Sequence, residues 1–246
     1  MKNMHLKMKT TSVSVALALV LGAMQTAPAQ ATTMTYSGAG FDIPDASFRG
    51  GSSNIAVSDS GVLTDVSISI SLSHTFVGDL TAVLSYRPVS NNFVKSVNLF
   101  RVVGYTLPNP LGLGDGADLA GTYTFSDSAI LDFAETASLN DVIPEGAYRS
   151  STNIFTNSVA TTNPFTSLNS TFVGLERAGK WTLKIDDFSG GDIGSVSAWS
   201  LSLTTADAPP VPEPTTWAMF ASGAGLLGWR LRRCAAWSLK INPRRT

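Results

Sequence analysis

The stretch Val66-Ser67-Ile68-Ser69-Ile70-Ser71-Leu72-Ser73 decides the fold of this chain. Aliphatic residues alternate with serines, so a β-strand here turns an aliphatic face toward a core and a hydroxyl face toward water. A second alternation follows Gly78, where one phase is occupied by Leu80, Ala82, Leu84 and Tyr86. The segment 62–86 is therefore predicted to form two strands joined by residues 74–79.

A third alternation lies further along the chain, with Trp181, Leu183 and Ile185 on one phase. The glycine-rich residues 190–194 predict a turn, after which residues 196–204 are expected to return as the partner of a hairpin. In the return strand the apolar phase shifts between Ala198 and Trp199, which predicts a bulge. Trp181 and Trp199 are then expected on opposite arms of the hairpin as core residues, with a carbohydrate platform as the alternative.

The segments between these strands have a weaker pattern. Residues 105–121 are rich in Gly, Pro and Asp, and residues 150–171 are rich in Ser, Thr and Asn, so both are predicted to be mainly loops. Helical periodicity is absent from residues 32–208. The expected fold class is therefore all-β, as an antiparallel sandwich with long crossings between its sheets.

Residues 32–208 are long enough for one domain with its own core. They hold 8 basic and 17 acidic residues, a net charge of −9 in a chain whose formal net charge is −1. An acidic surface repels nucleic acid and anionic lipid and favours solubility. Phosphate loops, Cys/His zinc spacing and basic aromatic patches are absent from the sequence, which disfavours roles in binding nucleotides, zinc and nucleic acid.

The N-terminal residues have the three parts of a secretory signal peptide. Lys2, Lys7 and Lys9 are followed by an apolar stretch, residues 13–23, and then by Ala29-Gln30-Ala31, an A-x-A cleavage site. Residues 1–31 are therefore predicted to be the signal peptide, with the mature chain beginning at Thr32.

The C-terminal residues combine a proline motif, an apolar run and a basic cluster. Residues 209–214 form a linker that ends in Val211-Pro212-Glu213-Pro214, residues 215–229 are predicted to be a transmembrane helix, and residues 230–246 a basic cytoplasmic tail that begins with Arg230, Arg232 and Arg233. At 1.5 Å per residue the apolar run reaches roughly 22 Å, short for a bilayer core of about 30 Å. The only cysteine, Cys234, lies beyond the basic cluster, so no disulfide is expected in the exported domain.

This order of motif, apolar run and arginines resembles the PEP-CTERM sorting signal of Gram-negative bacteria. The resemblance implies cleavage near Pro214 by a membrane-embedded exosortase and release toward the cell surface or extracellular polymer. The alternative is a permanent single-pass anchor. It stays open because the chain continues for 13 residues beyond Arg233, where a signal of this type usually ends.

The domain itself carries a second resemblance, over about residues 40–204. His74-Thr75-Phe76-Val77-Gly78-Asp79-Leu80 resembles the H-T-(aromatic)-x-G-D-L motif of the P domain, or Homo B, of subtilisin-like proprotein convertases. Residues 179–201, with Trp181 and Trp199, resemble the closing segment of that family. The resemblance implies a jelly-roll β-sandwich, although residues 86–92 lack the usual S-P-x-G-T turn.

Catalysis is not expected from these residues. A Ser-His-Asp mechanism needs a histidine base, and the only histidine beyond the signal peptide is His74, which is predicted to bond a turn at the sandwich edge. No serine nucleophile motif accompanies it. Oxygen ligands for a calcium ion are offered by Asp79, Asp127, Asp186 and Asp187, although acidic turns are usually only solvated. Asp79 is itself expected to bond the backbone of its turn.

The sequence thus predicts an exported, non-enzymatic module with a structural or binding role at the cell surface. Its expected partners are an exosortase, the membrane before processing, and extracellular polysaccharide. The alternative is an accessory domain that stabilises a separate subtilisin-like serine protease.

Overall fold

The computed structural model of the chain describes residues 31–90, 93–105, 114–151, 166–206, 223–224 and 227. The strands in these residues are β1 Ala31–Ile43, β2 Gly51–Val57, β3 Leu63–His74, β4 Leu80–Pro88, β5 Lys95–Arg101, β6 Asp118–Ser126, β7 Leu131–Asp132, β8 Val142–Ile143, β9 Gly146–Arg149, β10 Gly179–Asp187 and β11 Gly194–Ala206. The helices are a 3-10 turn, Val77–Asp79, and two short α-helices, α1 Phe133–Ala137 and α2 Leu168–Phe172.

The strands form two sheets that share one core. The seven-stranded sheet has the order β1-β11-β3-β6-β9-β7, with β8 paired to β6, and the four-stranded sheet has the order β2-β10-β4-β5. Buried side chains from both sheets belong to a single cluster, which includes Ile70 and Leu201 from the first sheet and Leu84 and Leu183 from the second. The expectation of an all-β sandwich is confirmed.

The alternation in β3 and β4 is confirmed residue by residue. Ile68 and Ile70 of β3 are buried, and the serines that alternate with them, Ser67, Ser69 and Ser71, are partly exposed. In β4, Leu84 and Tyr86 are buried in the same way. The period of two thus identified both strands and the faces that they bury.

The predicted hairpin of residues 179–204 is wrong. β10 pairs with β2 and β4, whereas β11 pairs with β1 and β3, so the two strands lie in different sheets. The residues between them, 188–193, therefore cross from one sheet to the other. The predicted irregularity in β11 is present, as a register shift between Val196 and Ala198. Alternation predicts which face is buried but carries no information about the partner strand.

Two further features depart from an antiparallel, helix-free sandwich. β9 pairs in parallel with β6 and with β7, and β8 pairs in parallel with β6. The helices α1 and α2 are each five residues long, too short to produce a helical period in the sequence. Each begins at a side-chain cap, provided by Asp132 for α1 and Ser167 for α2.

The two ends of the sandwich can be named from β11. Its last residue, Ala206, pairs with Ala31, so both ends of the described domain lie at one end, called here the terminal end. Its first residue, Gly194, pairs with His74 at the opposite end, called the acidic end. Thirteen strand residues separate the two ends by about 40 Å.

Candidate functional site

Titratable side chains gather at the acidic end of the sandwich. His74 is the last residue of β3, Asp79 ends the 3-10 turn, and Asp187 ends β10. The motif that contains His74 and Asp79 lies where the chain leaves the seven-stranded sheet and enters the four-stranded sheet. Both carboxylates and the imidazole thus meet where the sheets are joined.

His74 is held by the fold on both of its ring nitrogens. Its Nδ1 accepts a hydrogen bond from the backbone N–H of Phe76 at 3.1 Å, and its Nε2 lies 3.4 Å from Oδ2 of Asp187. The side chains of His74 and Asp187 are fully buried. The Nδ1 atom also lies 3.0 Å from the Phe76 carbonyl oxygen, so both ring nitrogens contact groups of the fold and neither faces a nucleophile. The bond to the turn is the contact expected from the sequence.

The Asp79 carboxyl has an unusual protonation equilibrium. Burial and the negative charges of Asp187 and Asp192 raise the pKa of Asp79 to about 6, and His74 offsets part of this effect. Burial likewise raises the pKa of Asp187, although the Ser189 N–H and His74 favour its charged form. Ionisation of Asp79 is therefore disfavoured, because it places a negative charge in a buried site beside Asp187.

The rim of the cluster is closed by hydrogen bonds within the chain. Asp192 accepts a hydrogen bond from the Thr75 hydroxyl at 2.7 Å, and Asp45 accepts one from the Gly191 N–H at 3.1 Å. The Ser189 N–H donates to Asp187 at 3.1 Å. Asp187, rather than Asp79, thus makes the carboxylate-to-turn contact that was expected of Asp79.

The four predicted calcium ligands do not come together. Asp79 and Asp187 lie at the acidic end, whereas Asp127 lies at the terminal end and accepts hydrogen bonds from the backbone of Leu168 and Asn169 at the start of α2. Asp186 lies 2.7 Å from the Lys184 ammonium. Among the described residues no group of three or more His, Cys, Asp or Glu side chains is arranged to hold a metal ion.

The remaining motif residues have identifiable structural contacts. A Cβ on Gly78 would lie 2.4 Å from the backbone nitrogen of Asp115, so only glycine fits. Trp181 is fully buried and its Nε1 donates to the Arg177 carbonyl, whereas Trp199 is 2% exposed and donates to the Ser53 hydroxyl at 3.1 Å. Burial of both rings contradicts the carbohydrate-platform alternative.

Tyr86 has a role that the sequence did not reveal. Its ring packs 4.5 Å from the Trp181 ring, and its hydroxyl donates to the carbonyl oxygens of Glu176 and Ala178. It thereby ties β4 to the segment that enters β10. Alternation had marked Tyr86 as an inward residue, but the partner of its hydroxyl depends on a segment ninety residues away.

The predicted sorting and cleavage residues lie mainly outside the described part of the chain. Ala29, residues 211–214, Arg230, Arg232 and Arg233 are in this group, whereas Ala31 is the first residue of β1. Within the predicted transmembrane segment Gly223, Ala224 and Leu227 are described, and they are helical. A helix both long and apolar enough to cross a membrane is not found among the described residues.

Comparison with protein families confirms both resemblances. Residues 148–203 match the proprotein convertase P-domain, and residues 210–233 match the PEP-CTERM protein-sorting motif. The P-domain is an accessory domain of proteases, and the PEP-CTERM motif implies exosortase-dependent sorting to the cell envelope of Gram-negative bacteria. No curated protein matches the chain.

Solved structures of a serine protease are similar to the chain. One is the Aeromonas sobria serine protease (ASP) in complex with the chaperone ORF2, at 15% identity and a TM-score of 0.38, covering 72% of this chain and 28% of that one. Another is the serine protease of Aeromonas sobria, at 13% identity and a TM-score of 0.37, covering 71% of this chain and 27% of that one. The chain thus spans little more than a quarter of either protein.

Proposed function

We propose that the chain is a non-catalytic, exported β-sandwich module that an exosortase-type enzyme sorts to the cell surface or the extracellular polymer, where it has a structural or binding role. The observation that carries the proposal is the sorting motif at residues 210–233, which follows the last strand almost directly. A sorting motif directly after a folded domain is the arrangement expected when the domain is the cargo that is exported. The proposal takes residues 1–31 as the signal peptide, residues 32–208 as a jelly-roll domain and residues 215–229 as the membrane segment.

The short connection between the domain and the sorting motif supports delivery of a folded module. Ala206 is still paired in the sheet, and Val211 follows five residues later, at most about 17 Å along an extended chain. Thr215 is within about 30 Å of Ala206 by the same measure. Before processing, the domain is therefore held close to the bilayer by its terminal end.

A non-catalytic role is supported by the geometry of His74. A histidine base in a Ser-His-Asp mechanism uses one nitrogen for the carboxylate and turns the other toward the nucleophile. Here the second nitrogen lies 3.1 Å from the backbone nitrogen and 3.0 Å from the carbonyl oxygen of Phe76, and the ring is buried. His74 thus links the end of β3 to the end of β10 through Asp187 and does not orient a reacting group.

The intact mass of the protein in separated cell fractions tests this proposal. Material from the cell surface is expected to begin near Thr32 and to end near Pro214, while an unprocessed precursor stays in the membrane fraction. Deleting the exosortase gene should retain all of the protein in the membrane. Surface material that still carries residues 234–246 would contradict cleavage and favour the permanent anchor.

A second candidate function is support of a separate subtilisin-like protease, favoured by the match of residues 148–203 to an accessory domain of proteases. Under this alternative the chain should co-purify with a protease that lacks its own P-domain and should raise the melting temperature of that enzyme. Hydrolysis of peptide substrates by the purified chain, lost on His74→Ala, would contradict both functions.

A further inference from the structure

The hairpin between β4 and β5 lies at the terminal end of the sandwich. Thr205, next to the end of β11, pairs with Leu63, and the Leu63 N–H donates to the Leu175 carbonyl. Three residues after Leu175, the carbonyl oxygen of Ala178 accepts a hydrogen bond from the Tyr86 hydroxyl. The next residue, Gly179, pairs with Pro88, the last residue of β4. Continuous contacts therefore connect the point where the tail leaves with the point where the hairpin turns.

Three apolar side chains are exposed at this turn, and they are called here the β4–β5 tip. Val89 is 82% exposed, Phe93 62% and Val94 45%. Single exposed apolar residues need no explanation, but here three of them lie within six residues of the chain at one turn. Nothing in the described core requires these side chains, because the buried positions of β4 end at Tyr86.

Three basic residues lie on the strands next to the tip, although the domain is acidic. The Lys95 ammonium lies 5.3 Å from the centre of the Phe93 ring, and Arg87 stands directly opposite Lys180 across β4 and β10. Like charges at opposed positions of a sheet repel each other. Neither Arg87 nor Lys180 has a carboxylate within ion-pair distance among the described residues.

Protection of a sheet edge does not explain these cations. Lysines on edge strands prevent aggregation, but β4 and β10 are the two central strands of the four-stranded sheet. An anionic surface that approached from outside would offset the repulsion between Arg87 and Lys180. The net charge of −9 for residues 32–208 describes the whole domain, whereas the charged residues of the segment 80–100 are Arg87 and Lys95, both basic.

We propose that the β4–β5 tip, with Arg87, Lys95 and Lys180 around it, rests on the anionic lipid surface of the bilayer in which the C-terminal segment is inserted. This inference rests on the proposed function, since it needs residues 215–229 in the membrane. The tail holds Ala206 within about 30 Å of the apolar run, which keeps the terminal end at the bilayer. Apolar side chains ringed by cations are the chemistry that binds the interface of an anionic bilayer.

The apolar component favours lipid over a soluble acidic polymer. Such a polymer would be attracted by Arg87 and Lys180 but would leave Val89 and Val94 in water. A bilayer interface takes up both, because its headgroups meet the cations and its acyl boundary receives the apolar tip. Contact with the bilayer would hold the domain in one orientation, with the acidic end about 40 Å further out.

Spin labelling of the full chain in lipid nanodiscs tests the proposal. A nitroxide is attached through Val89→Cys in a Cys234→Ser background, and its collisions with an aqueous nickel chelate are compared with its collisions with oxygen. In discs of phosphatidylcholine and phosphatidylglycerol the label is expected to lose its nickel collisions and keep its oxygen collisions. The matched control is Ile193→Cys, a residue that is 70% exposed beside the acidic end, where nickel collisions should persist.

Removing charge provides the second arm of the test. Discs of phosphatidylcholine alone, or the pair Arg87→Gln and Lys180→Gln, should restore nickel collisions at position 89, since each cation contributes about a fivefold preference for an anionic surface. The pair Arg49→Gln and Lys184→Gln removes equal charge away from the tip and should leave the label protected.

Each other outcome overturns the inference. Persistent nickel collisions at position 89 in anionic discs exclude contact with lipid. Protection that appears only with added polyuronate, or only as protein concentration rises, assigns the tip to an acidic polymer or to a second copy of the chain. Incorporation of the chain into discs is measured before any spectrum is recorded. Failure to incorporate would contradict the proposed membrane segment, and with it the proposed function. A chain that incorporates but keeps its nickel collisions at position 89 would contradict only the contact of the tip with lipid.

Discussion

The two sheets of the sandwich bury apolar inner faces but turn different chemistry outward. The seven-stranded sheet presents hydroxyls that pair across strands, such as Ser69 with Thr124 and Thr33 with Thr204, each at 2.8 Å. The four-stranded sheet presents the cations Arg87 and Lys180 on its central strands, with no carboxylate of the described residues within ion-pair distance of either. The comparison shows that the inward-facing residues of each strand form the core, whereas the outward-facing residues can differ in chemistry between the two sheets.

The largest effect is expected inside the four-stranded sheet, at Trp181. The ring is fully buried and packs against Tyr86 and Phe172, so Trp181→Ala should lower the free energy of unfolding by about 3–5 kcal/mol. Urea denaturation of the exported domain measures this. Trp199→Ala should cost less, because Trp199 lies next to the edge strand β1, where the chain can relax. An equal or larger loss of unfolding free energy in Trp199→Ala would contradict the expectation that the inner face of the four-stranded sheet is the less tolerant of the two.

A smaller effect is expected at Gly38, which contacts the Trp199 ring in the seven-stranded sheet. A Cβ on Gly38 would lie 2.0 Å from Nε1 of Trp199, so Gly38→Val should force the ring aside and cost about 2 kcal/mol. The neighbouring Ala39→Val places the same side chain on the exposed phase of β1 and should be nearly neutral. Equal thermal stability of the two variants would show that Trp199 does not need the glycine.

At the acidic end, where the two sheets join, Asp79→Asn should stabilise the protein at neutral pH. The folded-state pKa of Asp79 is raised from 3.8 to about 6, so the wild type loses stability as pH rises through that window. The variant should exceed the wild type by about 1 kcal/mol at pH 7, since water screens part of the repulsion, and match it near pH 4. Melting scans across this range measure the difference. A variant that is less stable at pH 7 would mean that the Asp79 carboxylate is needed in its charged form.

On the outer face of the seven-stranded sheet, removal of a hydroxyl pair should have little effect. Ser69→Ala combined with Thr124→Val should change the free energy of unfolding by about 0.5 kcal/mol, because both positions stay in contact with water. Denaturant unfolding checks this value. A loss comparable to that of Trp181→Ala would show that the outer hydroxyls are part of the folding core.

The smallest effect is expected on the outer face of the four-stranded sheet. Lys180→Gln removes the repulsion from Arg87 and should stabilise the domain by about 0.3 kcal/mol, more clearly at low salt. Lys180→Arg, which keeps the charge, should leave stability unchanged. Destabilisation by the glutamine variant would mean that Lys180 has a stabilising partner within the fold.

Local alternation explains how much of this fold could be predicted. β3, β4 and the inner phase of β10 were identified because each strand reports its own burial through a period of two. The pairing of β10 with β4 rather than β11, and the parallel pairing of β9, could not be obtained in this way, since pairing depends on contacts distant in sequence. The candidate site was predicted in part: His74 bonds its turn as expected, whereas its approach to Asp187 joins two residues 113 positions apart.

The sequence by itself determined the class of fold and its destination, because strand burial and sorting signals are written in contiguous residues. The alternating stretches specified buried and exposed faces, and residues 210–233 carried a motif that is read in order along the chain. The tertiary structure alone decided which strands share a sheet, which carboxylates share a buried site, and which exposed side chains lie at the same end of the sandwich as Ala206. These depend on distance in space, since charge, burial and hydrogen bonding act between atoms that the sequence separates.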